Sequence, residues 1–193
     1  NDSLTPTMRF STPRLLSSFA FVAASFAAAV PSSRAQERPN VVLIVADDMG
    51  YADMGTQGAR GFKTPHLDRM AAEGTRFTQH YVAQAVCTAS RAALMTGAYP
   101  NRLGMQGAYN HTSRDGLHED EWIMPEMFKA RGYATMGTGK WHLGTRLKFH
   151  PLRHGFDEWV GIPYSNDNTK YHPSLAPEMP PLPFYDGEKI VEL

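Results

Sequence analysis

Val41-Val42-Leu43-Ile44-Val45-Ala46-Asp47-Asp48 is the stretch on which the reading of this chain turns. Six apolar residues in a row, mostly β-branched, read as a buried strand of the kind found in parallel sheets covered on both faces. The run stops at two adjacent carboxylates, followed by a glycine-punctuated loop from Met49 to Gly61. In open α/β sheets, ligands collect beyond the carboxyl ends of the strands. Neighbouring acids there repel each other unless a cation joins them, and hard oxygen donors suit Ca²⁺ or Mg²⁺. A solvated loop with one acid capping a turn is the alternative, and the pair alone leaves both open.

Downstream, Thr64-Pro65 supplies a helix start with proline in the first turn, and Leu67, Met70 and Ala71 keep helical spacing up to Gly74. Residues 75–82 alternate like a strand. Ser90 to Met95 predicts a helix with Gly97 beyond its end. A further helix is expected over Glu121 to Arg131, closed by Gly132 and leading into a strand from Tyr133 to Met136. Strands alternating with helices predict an α/β fold. Tyr171 to Pro183 carries five prolines and reads as an extended connector. Residues 184–191 read as a hairpin around Asp186-Gly187. There are no internal repeats or heptads.

Composition narrows the function. The 193 residues carry 19 basic and 19 acidic side chains, too balanced for a sequence-blind nucleic-acid binder. With 42% hydrophobic and 20% charged residues, the chain is not of disordered composition. One cysteine, Cys87, excludes an internal disulfide framework and a cysteine-rich zinc site. Asn1 to Thr7 precede Met8, read as the start; Arg9, Arg14 and the apolar run Leu15 to Val30 follow. That run has the length of a signal-peptide core and falls short of the ~20 residues of a membrane span. Small residues at Ser33 and Ala35 fit cleavage after Ala35, and an N-terminal anchor helix is the alternative. Residues 1–35 are therefore expected to be upstream residues plus signal peptide, and 36–193 the exported part, periplasmic or extracellular. Those 158 residues keep 16 basic and 18 acidic side chains.

Two further clusters carry chemistry. Cys87-Thr88-Ala89-Ser90-Arg91 runs into the Ser90–Met95 helix, where the dipole favours a thiolate and Arg91 lies one turn along the same face. A buried structural cysteine is the alternative. In Gly139-Lys140-Trp141-His142, an extended backbone would project Lys140 and His142 to one side, an anion clamp beside a proton-transfer group; a surface lysine and a hydrogen-bonded histidine in a turn is the alternative. The segment is neither a P-loop nor a dinucleotide fingerprint, and the zincin and nucleophile-elbow motifs are absent. Pro151 breaks any helix joining His150 to His154. Trp122, Trp141 and Trp159 read as core or pocket wall.

Taken together, Arg38-Pro39-Asn40 through Asp47-Asp48-Met49-Gly50-Tyr51, Thr64-Pro65-His66-Leu67-Asp68, Cys87 through Gly97, Gly139 through Gly144, His154-Gly155-Phe156-Asp157 and Gly161 through Ser165 resemble, in order, the segments of the sulfatase family. The resemblance covers residues 38–193 and is closest to arylsulfatases. It implies an α/β fold of alkaline-phosphatase-like type, with a mixed, mostly parallel sheet flanked by helices. It also implies a sulfuric ester hydrolase acting on a sulfate ester. By the same resemblance, Cys87 is converted by a maturation enzyme to formylglycine, whose hydrate is the nucleophile. Asp47, Asp48 and the modified Cys87 bind a metal, Ca²⁺ rather than Mg²⁺. Arg91 holds the formylglycine, Lys140 and Ser165 contact sulfate, and His142 takes a proton so that sulfate is expelled. Ala89 replaces the proline of many members, and Asn166 stands where histidine is frequent. The family's Asp-Asn metal pair, a further histidine and a second lysine fall beyond Leu193. The chain is thus expected to be an incomplete N-terminal part that binds metal poorly and turns over little. No nucleic acid is implied, and membrane contact only through export. A phosphate or phosphonate ester hydrolase of the same superfamily, or a non-catalytic remnant or binding module, are the competing readings.

Overall fold

The computed structural model of the chain describes residues 38–170, 172 and 179–191. The signal-peptide reading and most of the proline-rich connector lie outside those residues. The chain divides into two units, residues 1–45 and 46–193. In the first, the described residues 38–45 form neither helix nor strand, and Val41 to Val45 are between 49% and 82% exposed. The expected buried strand over Val41 to Ala46 is therefore not formed. The same holds for residues 75–82, where Phe77 and Tyr81 are exposed and no ladder forms. The reason is common to both. A β-pattern supplies one row of backbone donors and acceptors, which becomes a strand only beside a partner row. Among the described residues neither run has one.

The second unit holds three α-helices, four short 3₁₀ turns and one sheet among its described residues. Helix α1 (Pro65–Glu73) starts at proline as expected and closes with Gly74 donating to the Met70 carbonyl at 2.9 Å. Thr64 Oγ1 accepts from Gly55 N at 2.8 Å and donates to Asp68 Oδ1, tying the preceding loop to the first turn. Helix α2 (Cys87–Thr96) begins three residues before the expected Ser90, so Cys87 itself sits in its first turn. Gly97 ends it at φ 71, a left-handed conformation that glycine adopts without penalty. Thr88, Ala89 and Ala92 form its buried face. Helix α3 (Met124–Lys129) is shorter than the expected 121–131 because Glu126 turns back to accept from Ile123 N at 2.9 Å, fixing the start after Ile123.

The sheet runs in the order β1 (Met136–Lys140), β2 (Glu158–Ile162), β3 (Phe184–Asp186), β4 (Lys189–Val191). It is mixed, as expected, but among the described residues it is not mostly parallel: one pairing is parallel and two are antiparallel, the second being the expected hairpin. Strand β1 starts at Met136, where the sequence pattern places its end. The glycines that argue against a strand are what the pairing requires. Gly139 takes φ 97 and pairs with Gly161, where an added Cβ would stand 2.0 Å from the Gly139 carbonyl oxygen. Beyond the strands the pairing continues, with Trp141 N donating to Ile162 O and His142 N to Pro163 O.

Ala92, Met105, Leu117, Ile123, Trp141, Leu143 and Trp159 form the core, which Trp122 does not join. Trp141 Nε1 donates to the Phe149 carbonyl at 2.8 Å, anchoring the crossover between β1 and β2. His142, His150 and His154 are 1%, 7% and 0% exposed. Burial, which disfavours imidazolium, pushes all three below the ordinary 6.5. Below about 6.5 the unfolded chain takes up protons that the folded chain refuses, so stability is complete above that pH and falls beneath it. Melting temperature measured from about pH 7.5 to about pH 5 is expected to drop. Replacing His154 by Gln should flatten the drop, and a level profile in the unsubstituted protein would contradict this account.

Candidate active site

Cys87, half-buried at the start of α2, faces the C-terminal end of β1. Lys140, the last residue of β1, directs Nζ to Cys87 Sγ at 3.6 Å and to Ser165 Oγ at 3.4 Å. Only 8% of the Lys140 side chain is exposed, and its ammonium is paired with Asp47 Oδ2. Arg91, one turn beyond Cys87, reaches the other carboxylate oxygen of Asp47 at 3.1 Å and donates to the Lys140 carbonyl. The arginine thus braces both the acid and the strand end that carries the lysine. Partial burial works against the charge of Asp47, but hydrogen bonds from Lys140 and Arg91, reinforced by their positive charge, hold its carboxyl below the usual 3.8.

Ligand atoms of Asp47, Asp48 and Cys87 lie within 4.8 Å of one another. Asp48 takes φ 59, an uncommon conformation for a residue with a side chain, and this turn of the loop accompanies the convergence of the two acids. Two carboxylates suit a hard cation, whereas sulfur does not; an oxygen at position 87 would complete a donor set of one kind. Calcium takes 6–8 oxygens, so these three groups form one side of such a site.

His142 is nearly fully buried and also carries a positive φ, 62°. This turn ends the extended backbone, so the common direction expected for Lys140 and His142 does not carry across it. His142 Nε2 hydrogen-bonds the carbonyl of Tyr109, and neither ring nitrogen bonds Cys87. Burial lowers its pKa, the Tyr109 carbonyl opposes this, and the charges of Lys140 and Arg91 lower it further, leaving a neutral ring at pH 7. Ser165 is buried just past β2. The structure therefore gathers Asp47, Asp48, Cys87, Arg91, Lys140 and Ser165 in one cluster, with the His142 ring turned to Tyr109.

Three participants escaped the sequence reading. Asp167 accepts a hydrogen bond from Ser165, which lowers its pKa against the opposing effect of burial, and its own backbone N–H and the charges of Lys140 and His172 add to the lowering. Its spacing two residues after Ser165 was the only available signal. Tyr109 enters through its backbone N–H and carbonyl, and Thr88 through a buried hydroxyl bonded to backbone groups, which side-chain patterns do not reveal. The arrangement brings both signs of charge to Cys87: the carboxylates of Asp47 and Asp48 can hold a cation, and Lys140 with the α2 N-terminus can draw an anion.

The sulfatase family model matches residues 39–192. N-acetylgalactosamine-6-sulfatase of Sus scrofa is 42% identical over 173 residues, covering 86% of this chain and 32% of that protein. Arylsulfatase A of Bos taurus is 48% identical over 149 residues, covering 76% of this chain and 28% of its own length. The crystal structure of Ps i-CgsB superposes with a TM-score of 0.70 at 35% identity, covering 80% of this chain and 37% of that one. The fold is accordingly the alkaline-phosphatase-like α/β fold of sulfatases, represented in part. The chain spans about a third of the length of the curated relatives it matches.

Asp47→Asn should weaken any divalent-cation binding at this cluster, Ca²⁺ being the probe, since it removes one of the two carboxylates that converge beside Cys87. Even changes behind metal ligands cost about 10–100-fold in affinity, and at least that loss is expected by calorimetric titration of the full-length protein. Unaltered affinity would contradict the assignment.

Proposed function

The chain belongs to the sulfatase family, and from that premise we propose that the full-length protein hydrolyses sulfuric esters at the cluster around Cys87. The observation that carries the reading is the convergence of Cys87, Lys140, Arg91 and Asp47, four residues from three separate segments, on one point at the end of β1. Cys87 is the residue converted to formylglycine by a maturation enzyme, and the aldehyde hydrate supplies the nucleophilic oxygen. Asp47, Asp48 and the modified residue 87 would hold a divalent metal, Ca²⁺ in preference to Mg²⁺, which supplies positive charge beside the sulfonyl oxygens.

The chain's own residues divide the remaining work. Lys140, held between Asp47 and Ser165, draws the sulfate anion and offsets charge building on its oxygens. Arg91 fixes the Asp47 carboxylate and the end of β1, so the lysine keeps its place. His142 is neutral at pH 7 and is the group able to take the proton released when sulfate leaves. Ser165, bound between Lys140 and Asp167, orients the sulfate-facing side.

Export fits the basic residues and apolar run at positions 9–30, and the protein acts in the periplasm or outside the cell. The relatives act, by their names, on N-acetylgalactosamine 6-sulfate and aryl sulfates. For this protein the substrate class is a sulfate ester.

Release of sulfate and of phosphate from matched aryl esters tests the reading. Sulfate release should exceed phosphate release, and Cys87→Ala should reduce kcat by about 10⁶-fold, the scale of losing a catalytic nucleophile. Faster phosphate release would move the assignment to the phosphoester hydrolases. Undiminished turnover by Cys87→Ala would end it.

A further inference from the structure

Thr88 follows Cys87 directly, and its side chain is fully buried on the inner face of α2. Its hydroxyl is used in both senses. Oγ1 donates to the backbone carbonyl of His142 at 2.9 Å and accepts the backbone N–H of Tyr109 at 3.0 Å. The Tyr109 carbonyl, on the far side of the same residue, bonds His142 Nε2. The three residues therefore close a ring: Thr88 to the His142 backbone, the His142 imidazole to Tyr109, and Tyr109 back to Thr88.

Two features of His142 make this ring consequential. Its backbone is left-handed, at φ 62, a conformation that persists in a non-glycine residue only when its surroundings hold it. Pro163 accepts from its N–H at 3.0 Å, and Thr88 donates to its carbonyl, so the residue is held on both sides. The imidazole, moreover, has two nitrogens with distinct roles. A carbonyl oxygen only accepts, so its bond to Nε2 places the proton there and leaves Nδ1 with the lone pair. Nδ1 is buried and, among the described residues, has no hydrogen-bond partner. The ring therefore presents one defined, unspent basic atom.

We propose that Thr88 is a positioning residue for His142, its hydroxyl locking the strained His142 backbone to Tyr109 and thereby selecting the Nε2–H tautomer whose free Nδ1 accepts the proton during turnover. The inference rests on the reading of His142 as the proton-transfer group. Valine at position 88 has nearly the shape of threonine but can make neither bond, whereas serine can make both.

Imidazole ¹⁵N spectra of the full-length protein, labelled at histidine and assigned with a His142→Gln control, report the tautomer independently of turnover. The unsubstituted protein and Thr88→Ser are expected to show Nε2–H with bare Nδ1 at His142. Thr88→Val should show a mixture of tautomers. Hydrolysis of an aryl sulfate by Thr88→Val should fall about 10²-fold in kcat, the cost of a misplaced catalytic group, with KM nearly unchanged. Thr88→Ser should restore most of kcat. An Nδ1–H ring in the unsubstituted protein overturns the proposal, as does Thr88→Val with unchanged tautomer and kcat. If Thr88→Val fails to fold, the other two proteins decide: Nε2–H in both supports the clamp, and Nδ1–H in either overturns it. A protein that releases no sulfate yet shows the Nε2–H ring, lost in Thr88→Val, retains the clamp and contradicts only the sulfatase reading.

Discussion

Lys140 carries an ammonium group into a position where 8% of its side chain meets solvent, and a charge so placed must find an opposite one. It finds Asp47, from the loop that follows the apolar run. Asp47 in turn engages Arg91 on α2, and Arg91 closes on the Lys140 carbonyl. These contacts join three segments that lie far apart in the sequence. Cys87 is brought to the end of β1 because the helix that carries it also carries Arg91. Were Lys140 unpaired, its burial would be costly and the strand end would have no reason to meet the helix.

The same constraint shapes the chemistry. Two carboxylates and an ammonium converge on residue 87, with Asp47 shared between them as the partner of Lys140, so groups able to hold a cation and an anion lie side by side. The neighbouring histidine is kept neutral by burial and by the two cations, so it adds no third positive charge beside the cluster. Two residues with side chains, Asp48 and His142, adopt left-handed backbones within this small region. Strain of this kind collects where surrounding contacts dictate conformation, and here hydrogen bonds from the Thr88 hydroxyl and the His142 N–H supply part of the dictation.

Much of this was legible in the sequence, unevenly. The helix carrying Cys87, its glycine terminus and the Asp-Gly hairpin follow from local rules of capping and turn geometry, which depend on nearby residues alone. The apolar run at 41–46 and the alternating run at 75–82 show the limit of pattern. Both have strand composition, yet strand formation is decided by a partner row of backbone groups. Strand β1 shows the opposite failure: the pattern ends it at Met136, where it begins, and the lack of side chains at Gly139 and Gly161 is what lets the two strands meet. The side chains gathered at the end of β1, Cys87, Asp47, Asp48, Arg91, Lys140 and Ser165, and the neighbouring His142, were all nameable from motif and resemblance. Thr88, Tyr109 and Asp167 were not. Their parts are played through backbone carbonyls, a buried hydroxyl and proximity across the fold, none of which leaves a spacing to read.

The central claim is that Cys87, at the focus of these charges, is the precursor of the catalytic group. The mass of the proteolytic peptide that carries it, taken from full-length protein produced in its natural host and active toward a sulfate ester, tests this most directly. The account predicts a peptide lighter by the exchange of SH₂ for O, the signature of formylglycine. An intact thiol throughout an active preparation would contradict it.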